Sequence, residues 1–75
     1  MAKQAAARPL DTALSVQQAL ALHQQGRLKE AEAIYDSVLA SDPRHFDALH
    51  LSGVLRYQQG RSAEALRLVA AALKA

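Results

Sequence analysis

Asp42, His45, Asp47 and His50 place two carboxylates and two imidazoles in one short stretch of the chain. Those groups are common oxygen and nitrogen ligands of a divalent cation, and a neighbouring pair can also act as acid and base. Asp47 and His50 are three residues apart, so on a helix they share a face. A catalytic zinc site takes three protein ligands and outer partners that orient them, and no other part of the chain supplies a third ligand convincingly. Asp42 precedes Pro43, a place that ends helices, and Asp47 is placed to favour the first turn of the next one. The chain has no cysteine, which removes disulfides and thiolate ligands. No nucleophile, base and orienting group form a recognisable set. These residues therefore point to no catalytic centre, no metal and no cofactor, and the chain reads as a non-enzyme.

The positions of those residues depend on helices. Of 75 residues, 51% are hydrophobic, much of that alanine, and only 4% are aromatic. That mix suits closely packed helices, because alanine carries no helix penalty and lets backbones approach. Three glycines and two prolines are too few for a β fold. A chain this short buries about 60% of its unfolded surface, so it forms one small unit of marginal stability. Net charge is +2, with signs interspersed and no basic run, which gives nucleic-acid binding no footing. No apolar run approaches the roughly 18 residues of a membrane span, and Met1 to Leu10 lacks the apolar centre of a secretory signal. The expected location is cytoplasmic.

Gln24-Gln25-Gly26-Arg27 returns as Gln58-Gln59-Gly60-Arg61, and 60 − 26 gives an offset of 34 residues. Ala31 and Ala65 keep that offset, as do Leu39 and Leu73. Glycine ends a helix without steric cost, and proline excludes helical geometry in the residue before it. Gly26, Pro43 and Gly60 therefore separate four predicted helices, at about 13–25, 28–41, 45–59 and 62–74. The first is expected to start at Asp11 or Thr12, the last at Ser62 as N-cap, and residues 1–10 to form a flexible arm. Ala31, Ile34, Tyr35, Val38 and Leu39 make one buried stripe on the second helix. Leu49, Gly53, Val54 and Tyr57 are expected on the inward sides of the third. Gly53 inside a helix costs about 1 kcal/mol against alanine, which predicts close approach of a neighbouring helix.

A period of 34 with a helix pair in each unit resembles the tetratricopeptide repeat (TPR) family. Counting from Thr12, Ala31, Tyr35 and Pro43 fall on its alanine, aromatic and proline positions, with Val38 replacing the second alanine. Ser15, Gln18 and Ala19 stand where a large residue, leucine and glycine are usual, and Leu22 stands for the aromatic. Counting from Phe46, Leu49, Gly53, Ala65 and Ala72 fit, while Ser52, Arg56 and Val69 depart from the pattern. The resemblance covers about residues 12–75 and implies an all-α superhelix of two antiparallel helix pairs. A single domain over residues 11–75 would hold repeat one at 12–45 and repeat two at 46–75, incomplete at its C-terminal end.

The resemblance also implies a concave groove lined by the first helix of each repeat. Its places fall on Ala13, Val16, Leu20, His23 and Gln24, then on Asp47, His50, Val54, Tyr57 and Gln58. Apolar pockets with a few fixed polar groups suit a peptide segment. No lysine or arginine stands among them, so the clamp by which one branch of the family holds C-terminal carboxylates is not expected. Leu66, Leu68, Val69 and Leu73 cannot all face the third helix, which leaves a face for self-association as a homodimer. A full second unit would run to residue 79, so truncation of a longer protein is the competing account. The expected function is protein–protein interaction with a protein or peptide partner or with itself, away from nucleic acid and membrane. The alternative is a non-catalytic accessory region of a larger transferase-type enzyme.

Overall fold

A computed structural model describes residues 9–75, with side chains from residue 12 onward. Four helices follow one another: α1 Pro9–Gln24, α2 Leu28–Ser41, α3 Phe46–Gln58 and α4 Ser62–Lys74. α1 packs on α2 and α3 on α4, α2 also packs on α3, and α1 touches α3. No strand occurs among the described residues.

The two tight turns are built alike. Gly26 and Gly60 take φ values of 81° and 80°, the left-handed conformation that costs glycine nothing and other residues about 1–2 kcal/mol. At the first turn Arg27 N–H donates to the Leu22 carbonyl and Gly26 N–H to that of His23. At the second, Arg61 N–H donates to Arg56 and Gly60 N–H to Tyr57. This is the Schellman closure, which satisfies the last free carbonyls of a helix. Between α2 and α3, Asp42 N–H caps the Val38 carbonyl before Pro43 stops the helix.

The core is made of small residues around one large ring. Val16 and Ala19 of α1, Ala31, Tyr35 and Val38 of α2, and Ala48 and Leu55 of α3 form one buried cluster. Leu22, Leu28, Ile34, Leu39 and Leu51 pack on its margin. At Gly53, α3 and α4 approach closely. A Cβ there would lie 2.8 Å from Val69 Cγ2 and 3.3 Å from the Ala65 carbonyl oxygen. The mid-helix glycine predicted to mark a close neighbour does so.

Several local expectations need correction. Pro9 and Leu10, assigned to the arm, are helical, so α1 is already under way before Asp11; residues 1–8 lie outside the described residues. Ser62 is the first helical residue rather than the cap, and α4 has no side-chain cap. Val54 and Tyr57 are exposed, Tyr57 by 69%. Among the described residues no helix covers the side of α3 that carries them, so the expected inward position fails.

Candidate interaction surface

The acidic and imidazole residues are spread over the α2–α3 turn and the first turns of α3. His45 is the N-cap of α3, and its Nδ1 accepts from Ala48 N–H at 3.2 Å. His50 stacks on Phe46 with ring centroids 6.0 Å apart. Asp42 accepts from Arg44 N–H at 3.3 Å, and Asp47 lies in the first turn of α3. No group of three or more candidate metal ligands occurs among the described residues.

Of the groove places, Val16 is a core residue, buried in the cluster shared by α1, α2 and α3. Leu20 and His23 are half-buried, while Ala13, Gln24, Asp47, His50 and Gln58 are exposed. The structure joins three residues, one from each of α1, α2 and α3. Gln58 Oε1 accepts from His23 Nε2 at 2.5 Å, and His23 Nδ1 lies 3.3 Å from the Tyr35 hydroxyl. An amide oxygen only accepts, so Nε2 is the donor to Gln58; in the tautomer with its proton there, Nδ1 accepts from Tyr35. Burial pushes the Tyr35 hydroxyl above its ordinary value, which keeps that proton in place. His23 and Gln58 therefore act as a strut between the two first helices.

Sequence reasoning missed Arg56, which it read only as a departure from an aromatic. The residue is 9% exposed, and its guanidinium ties three helices together. Nη1 donates to the buried Ser52 hydroxyl at 2.7 Å, Nη2 to Asp36 at 3.1 Å and Nε to Glu64 at 3.3 Å, with Glu32 3.4 Å from Nη2. Arg61 continues the network, donating to both oxygens of Glu32 and, at 2.7 Å, to Glu64. Gln59 Nε2 adds a bond to Glu32, and this bond is the leading reason that the Glu32 carboxyl stays below its ordinary value. The Arg61 hydrogen bond does the same for Glu64. In repeat one the corresponding pair, Arg27 and Glu30, is exposed and, among the described residues, joins no wider network. The only advance signal was a chain-buried position carrying a charge that could be satisfied from its neighbours.

On the far side of α3 and α4 lies a cleft of about 380 Å³ walled by Gly53, Val54, Tyr57, Ala65, Leu66 and Val69, with Ser62 at its edge. Two groove places, Val54 and Tyr57, are also walls of this cleft. Leu66 is 71% and Leu73 80% exposed, whereas Leu68 and Val69 are half-buried, Leu68 close to Gly53. The 34-residue offset shows what this surface is. Ala19, His23, Ala31, Glu32 and Tyr35 are the counterparts of Gly53, Tyr57, Ala65, Leu66 and Val69. In the first pair that face is covered by α3, so Ala19, Ala31 and Tyr35 are fully buried.

Antiparallel helix pairs repeated at a fixed offset, each covering the face of the one before, define an all-α helical-repeat protein. The family model described as Tetratricopeptide repeat matches residues 22–75, and the chain belongs to the tetratricopeptide repeat family. No curated protein and no solved structure matches it. Repeats of this family generally mediate protein–protein contact and are not themselves catalytic. No described helix is long and apolar enough to cross a membrane.

Proposed function

We propose that this chain is a protein-interaction module that receives a helical segment on the α3–α4 face. The observation that carries the reading is the apolar cleft over Gly53, bounded by Val54, Tyr57 and Leu66, in the place where the first pair holds α3. The concave groove contributes through Val54 and Tyr57, and its polar members His50 and Gln58 lie exposed beside them. Apolar anchors at the centre with polar groups at the rim are the common anatomy of a protein contact. An amphipathic helix would lay a stripe of residues spaced three and four apart into such a groove.

A labelled peptide with the sequence of residues 45–59 and Arg56→Leu is a direct probe, since α3 itself covers the equivalent face within the molecule. Saturable fluorescence anisotropy is expected with the native chain. Leu66→Glu should weaken it on the order of 30-fold, the loss of about 2 kcal/mol typical of a central anchor. Binding that is unchanged by Leu66→Glu, or no binding at all by the monomeric chain, would remove the α3–α4 face as the contact surface.

A further inference from the structure

The occupant of this face can be narrowed by comparing it with the face it repeats. Glu32 and Asp36 of α2 become Leu66 and Ala70 of α4 at the 34-residue offset. In the first pair those carboxylates meet Arg56 of the covering helix. The second pair offers no anion there, so a covering helix that carried a cation at that place would bury it unpaired, at high cost. The face therefore selects an uncharged, aliphatic partner surface.

Two surfaces of this same chain could be offered to it. The first is the outer side of α1, which would give head-to-tail stacking. There Leu14, Ser15, Gln17, Gln18 and Ala21 line a shallow, partly polar depression. Gln17 and Ala21 stand where the covering helix α3 has Leu51 and Leu55. Stacking by that side would bury two glutamine amides and forgo two leucines, both unfavourable. The second surface is the α3–α4 face itself. It carries the required aliphatic residues, and its shape has both knobs and a hole. Leu66 and Tyr57 stand exposed at the rim, while Gly53 and Ala65 floor the cleft between them. Arg61 and Glu64, on either side of Ser62 at the edge of the cleft, are engaged with each other and with Glu32 and Arg56, so neither brings an unmatched charge to the contact.

We infer that the partner is a second copy of this chain, joined face to face through α3 and α4 about a two-fold axis, with Leu66 and Tyr57 of each copy set into the Gly53 cleft of the other. This inference rests on the interaction reading above and names its partner. A two-fold contact uses the same patch twice and closes at two copies, whereas the α1 route would not close.

Sedimentation velocity of the native chain over a wide concentration range tests it. A monomer–dimer equilibrium that stops at two copies is expected. Leu66→Glu, at a solvent-facing position, should keep the helical circular dichroism and weaken pairing on the order of 100-fold or more, because both copies lose an anchor. Gln17→Leu leaves the paired face untouched and should leave the dimer unchanged. The probe peptide should dissolve the dimer by competition. Assembly growing past two copies, or dimers indifferent to Leu66→Glu, would overturn the two-fold arrangement. A native monomer at every concentration that still binds the peptide at Leu66 would overturn self-pairing and leave the interaction surface standing. A monomer that does not bind the peptide would overturn both.

Discussion

At the scale of single residues, Gly53 shows how a position can be locally poor and globally required. Alanine would gain about 1 kcal/mol of helix propensity there, but its methyl would press on Val69 and on the Ala65 backbone. Overpacking costs about 1–3 kcal/mol, and valine is stiff at its first torsion, so it yields poorly. Gly53→Ala is therefore expected to lower stability by about 1 kcal/mol net, or several degrees of Tm in a domain this small. Thermal melts followed by circular dichroism would show it, and a raised Tm would mean that α4 moves aside freely. His45 is a second case. Its spacing from Asp47 and His50 looked like a ligand set, yet its ring accepts the Ala48 amide and sets the start of α3. Residue type and spacing identified a polar group without showing that the backbone would claim it.

At the scale of helices, one apolar cluster joins α1, α2 and α3, and an ionic network centred on Arg56 adds a second fastening of α3 to α2 and α4. Arg56→Met keeps the bulk but strips the buried Ser52 hydroxyl and three carboxylates of a shared donor. A loss of about 1–3 kcal/mol is expected, held down because Asp36 and Glu64 remain partly in water. Acid should act on the same network. Glu32 and Glu64 lie below the ordinary 4.5 in the folded chain, so the unfolded chain takes up protons first as pH falls. Their contribution is complete above the ordinary carboxyl range and drains as pH drops through it toward the lower folded values. Tm should fall between about pH 5 and pH 3, and less steeply in Arg61→Gln; equal slopes would remove the network as the cause. The helices themselves were legible, because Gly26, Pro43 and Gly60 punctuate the chain and apolar spacing marks the α2 stripe. The network was not, because Arg56 draws its partners from positions 32, 36 and 64 on two other helices. Val54 and Tyr57 were placed inward for a related reason: periodicity reveals that a stripe is apolar, and only the neighbours decide whether it is covered.

At the scale of the whole molecule, the two pairs share a backbone plan and differ in what lies against them. Tyr35 and Val69 hold the same place, one fully buried under α3 and the other half-open beside the cleft. If pairing covers that face, stability is linked to mass action, and the Tm of the native chain should rise with protein concentration while that of Leu66→Glu stays flat. Calorimetry at two concentrations separates these outcomes, and a concentration-independent native Tm would count against coupling. The matched φ values at Gly26 and Gly60 carry one more consequence. A gene that copied residues 27–60 in tandem would enter and leave each added brick at the same bend. Growth in steps of 34 keeps every seam in phase, whereas a step one residue longer would swing the following helix through about a hundred degrees. The architecture can lengthen only by whole units, like a chain of identical links.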